Sequence, residues 1–186
     1  MNRIKRTLLL LGFAGLAAAL CACTSLPSLR AMQLTALMTS ESSLIQDKSA
    51  EIIRCLTKQD REGLRALFCQ QMQQSDSFEQ QLDAVFAFFP CEVYIQADQK
   101  DVASGGSSYD QGERTDWYVT PTIPYIEILQ PAADGDLVSR YYGVDYYWKI
   151  TDTAHPELEG LHTLTLCLLN TDETVTLGTD EWIGDP

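Results

Sequence analysis

The hydrophobic pattern of this chain changes period once, at Pro90, and that change limits the folds open to it. Before Pro90 the apolar residues recur at helical spacing. Ile45, Ser49, Ile52, Ile53 and Leu56 share one face and predict a helix over about 43–58. Gln59-Asp60 breaks it, and Asp60 is placed to N-cap a second helix carrying Leu64, Leu67 and Phe68. Ser77 followed by Gln80 reads as a capping box. It would open a third helix whose stripe is Phe78, Leu82, Val85, Phe86 and Phe89.

From Cys91 the pattern becomes that of strands. Val93 and Ile95 alternate with more polar residues over 92–98, predicting a first strand. The stretch 101–112 holds Gly105, Gly106 and Gly112 and reads as turn-rich. Residues 114–129 are rich in Tyr, Thr, Ile and Val, but Pro121 and Pro124 cannot donate to a ladder, so an edge strand or a bulge is expected there. After the Asp134-Gly135-Asp136 turn comes the clearest strand. Tyr142, Val144, Tyr146, Trp148 and Ile150 point one way, and Tyr141, Asp145, Tyr147 and Lys149 the other, with Gly143 marking a bend. His155 to Gly160 is a polar connection, 161–169 a further strand, and the remainder polar and acidic. Helices followed by an antiparallel meander argue for an α+β fold, with N-terminal helices packed on a curved antiparallel sheet. The row from Tyr142 to Ile150 would face the helices, either as core or as the wall of an apolar pocket. Tyr141 and Tyr147 would lie exposed on the opposite face as a candidate partner surface.

The N-terminus carries a different signal. Arg3, Lys5 and Arg6 precede an apolar run from Leu8 to Leu20. At 13 residues that run is short of the roughly 20 needed to span a bilayer. Leu20-Cys21-Ala22-Cys23 then places Leu three residues before Cys23 and a small residue just before it. The pattern predicts a lipoprotein signal peptide over 1–22, with cleavage before Cys23 and lipidation of its thiol, in preference to ordinary secretory cleavage or an uncleaved helix. Two acyl chains, at about 0.8 kcal/mol per methylene, would anchor the chain stably to the outer face of the cell membrane. A tether over 23–43, with room for a short helix near Leu29 to Met38, a domain over 44–170 and an acidic segment over 171–186 complete the expected organisation.

Residues 1–22 hold three basic and no acidic residues, so removing them takes the formal net charge from −13 to −16 on 164 residues. Such a surface repels phosphate backbones and anionic headgroups, which excludes nucleic acid as a partner and leaves the lipid as the membrane contact. Cys55, Cys69, Cys91 and Cys167 form no C-x-x-C pair and are expected as free, buried thiols.

The stretch Ala50-Glu51-Ile52-Ile53-Arg54-Cys55-Leu56-Thr57-Lys58-Gln59-Asp60-Arg61-Glu62-Gly63-Leu64-Arg65-Ala66-Leu67-Phe68 resembles the opening of a nuclear transport factor 2-like domain. Tyr146-Tyr147-Trp148-Lys149-Ile150-Thr151-Asp152, with Pro156-Glu157-Leu158-Glu159-Gly160-Leu161, is similar to a set of uncharacterised bacterial lipoproteins, mainly Gram-positive. These carry a domain of unknown function with a nuclear transport factor 2-like, or cystatin-like, cone fold. The resemblance covers about 44–170, and Cys69 departs from it where Ser or Ala would stand. It implies a fold and almost nothing about chemistry.

Enzymes on this fold place an Asp, Glu or His inside the cone beside Tyr or Trp donors, and Asp145 or His162 with Tyr146 would imitate this. Alternation sets Asp145 on the face opposite Tyr146, and His162 reads as an exposed strand residue without an orienting partner. His155 and His162 with Glu157 and Glu159 lack the spacing of a structural zinc site, and Asp134-Gly135-Asp136 lacks the remaining ligands of a calcium loop. No catalytic residue, cofactor or metal ligand is assigned. The expectation is a membrane-anchored, extracytoplasmic, non-catalytic binding or interaction module for a small ligand or a protein. The alternative is a lipid-anchored enzyme acting on a small apolar substrate in the cone.

Overall fold

A computed structural model describes residues 29–98, 102–171 and 173–179. The expected signal peptide, Cys23 and the last residues of the acidic segment lie outside these. The chain divides between Ser43 and Leu44 into two compact units. In the first, the described residues 29–43 are helical, and the short helix expected near Leu29 to Met38 is longer than that. They open helix α1, Leu29–Thr57, which therefore begins well before position 43.

In the second unit α1 buries Ile45, Ser49, Ile52, Ile53, Cys55 and Leu56. It stops at Gln59, whose φ of 53° is left-handed, and the Gln59 amide donates to the Leu56 and Phe89 carbonyls at 3.1 and 3.0 Å. Asp60 then caps α2, Arg61–Ala66, by accepting from Gly63 N at 2.9 Å. A one-turn α3, Gln70–Gln73, precedes α4, Phe78–Phe88. Ser77 makes no capping hydrogen bond, contrary to the capping-box expectation. Its φ and ψ of −90° and −10° are helical, whereas an N-cap side chain needs extended backbone to reach back to the first turn. Phe78, Leu82, Val85 and Phe89 are buried.

Six antiparallel strands form one sheet: β1 Val93–Asp98, β2 Val102–Asp110, β3 Glu113–Pro131, β4 Leu137–Asp152, β5 Gly160–Leu168 and β6 Glu173–Gly178. Strand β3 is long enough to pair with β2 through 113–122 and with β1 through 125–129 along one side, while β4 lies along the other. It is thus an interior strand and not the edge that its prolines suggested. The bulge alternative holds: Pro124 and Tyr125 together oppose Gly143, between the pairs Ile123–Val144 and Ile126–Tyr142.

Two further expectations are corrected. The turn-rich stretch is strand β2, because Gly105 and Gly106 are there for close approach: a Cβ would lie 2.4 Å from the Tyr118 carbonyl oxygen at Gly105 and 2.9 Å from the Tyr118 ring at Gly106. The reversal itself is the two-residue turn Gln111-Gly112, with φ of 49° and 90°. Strand β1 is as expected; it is an edge strand, and its Val93 and Ile95 are 43% and 44% exposed. The C-terminal segment supplies β6, whose Leu177 is fully buried.

Tyr142, Val144, Tyr146 and Trp148 are buried in the hydrophobic core, with Ile150 packed at its margin. The Tyr142 ring lies against Phe89 and Phe88, centroids 4.7 and 5.7 Å away, and its hydroxyl donates to the Phe88 carbonyl at 2.9 Å. Tyr146 Oη sits 2.8 Å from Ser49 Oγ, satisfying both groups inside the core. The helical segment also joins the sheet edge-on: Cys69 N donates to Leu161 O at 3.0 Å and Leu161 N to Leu67 O at 2.9 Å. Gly160 permits this approach: its φ is 134°, and a Cβ there would lie 2.6 Å from Cys69 N. Gly160→Ala should lower the free energy of unfolding by about 1–3 kcal/mol in urea titrations. Gly143→Ala, whose Cβ would meet only the flexible end of Leu169 at 3.3 Å, should cost less.

Candidate functional site

The face of the sheet turned away from the helices is built by the same alternation that buries Tyr142, Val144 and Tyr146. Across β3, β4, β5 and β6 that face carries a band of short polar side chains with larger ones on either side. Thr122 pairs across to Asp145, Asp145 to Thr165, and Thr165 to Thr176, which sets four polar side chains in a row at strand spacings of about 4.8 Å. Ser104 pairs with Thr120 and Tyr147 with Thr163 beside that row. Ser104, Thr120, Thr122, Asp145, Tyr147, Thr163 and Thr165 border a groove of about 380 Å³, and Thr176 stands outside it behind Thr165.

The hydroxyls are held by one another. Thr122 Oγ1 donates to Asp145 Oδ1 at 2.5 Å, Ser104 Oγ lies 2.5 Å from Thr120 Oγ1, and Thr165 Oγ1 lies 3.0 Å from Thr176 Oγ1. Each hydroxyl retains acceptor capacity, and Asp145 retains most of its lone-pair sites. Asp145 is exposed, and Tyr146 turns to Ser49 on the helix side, so these two do not meet. A period-two run of threonines opposite the apolar row was the signal of this site in the sequence, and the aromatic residues drew attention away from it.

Stacked tyrosines flank the groove. Tyr147 lies over Tyr118 with centroids 5.4 Å apart at 25°, and two positions beyond Gly143 on the same face Tyr141 stacks on Tyr125 at 5.5 Å and 25°. Between the latter pair Glu127 accepts from the Tyr125 hydroxyl at 3.0 Å and, against the cost of partial burial, from Ser139 and Gln96 as well; its carboxyl is held below the usual range. Tyr147, expected as an exposed partner residue, is only 6% exposed. Tyr118 covers one side of its ring and His162 meets another edge-on at 5.3 Å. Tyr141 is half-buried.

His162 is likewise not an exposed strand residue. It is the extra residue of a bulge, standing between Leu161 opposite Trp148 and Thr163 opposite Tyr147, and it is 3% exposed. Its Nε2 lies 2.7 Å from the Leu158 carbonyl and so carries the proton, leaving Nδ1 as an enclosed acceptor without a partner. Burial lowers its pKa below 6.5, aided by Lys149 and opposed by the Leu158 carbonyl. Nearby, Lys149 Nζ joins Asp116 at 2.5 Å and Asp152 at 3.2 Å. Burial works against the charge on Asp152, but hydrogen bonds from His155 N and Lys149 outweigh it and hold the carboxyl low. These contacts tie β4 to the loop before β5.

A second cleft of about 590 Å³ lies beside α3 and α4, bordered by Gln71, Met72, Gln74, Gln81 and Thr179, with Gln71 Oε1 buried and unpartnered. Cys55, Cys69, Cys91 and Cys167 are free thiols, and burial raises the pKa of the first three. Among the described residues no group of three or more His, Cys, Asp or Glu is arranged to hold a metal ion, and no helix is long and apolar enough to cross a membrane.

A family profile described as a domain of unknown function, DUF5104, matches residues 51–171. A comparison with curated proteins returns no match.

The buried imidazole sets a pH dependence. The unfolded chain takes up a proton at His162 near pH 6.5 while the native chain resists it, so stability from this group is full above about 6.5 and declines as pH falls. Urea midpoints should drop between about pH 7.5 and 5.5, and His162→Gln should flatten that slope. An unchanged slope would show that His162 titrates alike in both states.

Proposed function

We propose, for a chain that belongs to the DUF5104 family of domains of unknown function, a membrane-anchored extracytoplasmic lipoprotein that acts as a non-catalytic binding module. The observation that supports a binding role is the division of labour between the two faces of the sheet. The helix side is spent on packing: Tyr142, Val144, Tyr146 and Trp148 are core. The opposite side offers a groove whose hydroxyls and one carboxylate are suited to holding a ligand.

We read the fold as a nuclear transport factor 2-like cone. The helices on one face and the long interior strand β3 support it. The alternative, an enzyme acting on a small apolar substrate inside the cone, would need an ionisable group on the helix side. His162 and Asp152 lie instead beside Tyr147 and Lys149, on the other face.

The anchoring reading rests on Cys23 and on the basic and apolar segments before it. Expressed in a bacterium that processes lipoproteins, the wild-type chain should partition with membranes and carry the mass of a diacylglyceryl group. Cys23→Ala should release it to the soluble fraction or leave it unprocessed, with no lipid mass. A Cys23→Ala protein that stays membrane-bound at unchanged mass would sink this reading.

A further inference from the structure

We infer that the groove across β2 to β5 binds an uncharged carbohydrate, recognised by Thr122, Asp145 and Thr165, with Thr176 holding the Thr165 hydroxyl from behind. This names the ligand class of the binding module proposed above and rests on that reading.

The row selects by what it contains. Two pairs are already bonded internally, Thr122 to Asp145 and Thr165 to Thr176, and among the described residues no side-chain hydrogen bond joins Asp145 to Thr165. That gap lies at the middle of the row, directly across one strand pair. A ligand hydroxyl placed there donates to Asp145 and accepts from Thr165, completing a chain across four strands. Polyols suit it because each hydroxyl both donates and accepts. Carboxylates are acceptors of the kind that ligate sugar hydroxyls in pairs, and charge-assisted bonds of this type are the stronger ones.

Other ligand classes meet the same groove badly. No Lys or Arg borders it, and the formal net charge of the chain is −13, so an anion finds no counter-charge. An apolar ligand would cover Ser104, Thr120, Thr122, Asp145 and Thr165 without replacing their water. A cation would find a single carboxylate, already engaged by Thr122. The groove is not wholly polar: the methyl groups of Thr120, Thr122 and Thr165 offer apolar surface to the C–H face of a pyranose ring. Its volume of about 380 Å³ falls in the range of small-ligand sites. It stands on paired strands, so its polar groups are positioned before any ligand arrives.

The test is calorimetric titration of the full chain, held in a detergent without a sugar headgroup. The probes are neutral tetrasaccharides of β-linked glucose and of β-linked N-acetylglucosamine, with spermidine and a glycerol-phosphate oligomer as cationic and anionic comparators. Saturable binding of at least one neutral tetrasaccharide is expected, and no binding of the anion. Asp145→Ala and Thr165→Val should each weaken it at least fivefold, the second by deleting one hydroxyl at constant volume. Val93→Ser, on the β1 edge, should leave it unchanged. Methyl resonances of Thr122, Thr163 and Thr165 in the unmutated chain should shift during the titration, which needs no variant to fold. The inference is overturned if neither tetrasaccharide binds, if binding ignores both groove variants, or if spermidine binds in preference and loses affinity in Asp145→Ala. Slow cleavage of a bound tetrasaccharide would remove the non-catalytic reading and leave the ligand class standing. Failure of the Cys23→Ala fractionation would remove the anchor alone.

Discussion

The pairing of β4 between β3 and β5 is the constraint on which the second unit depends. From Val144 to Tyr147 the strand is in register with β5, and bulges lie at both ends: Pro124 and Tyr125 opposite Gly143, and His162 between the partners of Tyr147 and Trp148. Within this window alternation is strict, and a slip of one residue would exchange the two faces. Tyr146 would then lose Ser49 and enter the groove, while Asp145 would be driven against the helices without a partner. The core and the groove are thus two consequences of one register.

The bulges also explain the chemistry at each end. Extra residues in a strand re-aim side chains, and bulges recur at binding sites for that reason. One bulge accommodates Pro124, which has no N–H to give to a ladder, and leaves Tyr125 to stack on Tyr141. The other inserts His162 beside Tyr147, where Lys149 and Asp152 hold the following loop. Neutral His162 belongs to this packing, which is why its protonation bears on stability.

Much of the helical half was legible because its signals are local. Asp60 caps α2, and Phe78, Leu82 and Val85 repeat at the period that buries them. Ser77 misled because a capping box specifies residue types, while the cap depends on a backbone angle that the preceding turn decided. In the sheet, Gly105 and Gly106 were read by their commonest use, in turns. Their actual use is to let Tyr118 cross β2, which depends on a residue twelve or more positions away. The exposure of Tyr147 and His162 failed for a like reason: alternation gives a face, and only neighbouring strands and loops decide what covers it.

The sequence by itself determined the order of helices before strands, the division of β4 into an apolar and a polar side, and the acidic charge. All of these are written in residue type at short spacing. Tertiary structure alone decided that β3 is interior, that β6 completes the sheet, and that threonines from β3, β5 and β6 fall in line with Asp145. Those residues lie between 11 and 23 positions apart in contact pairs, and register across strands is set by the sum of core packing, which no local pattern contains.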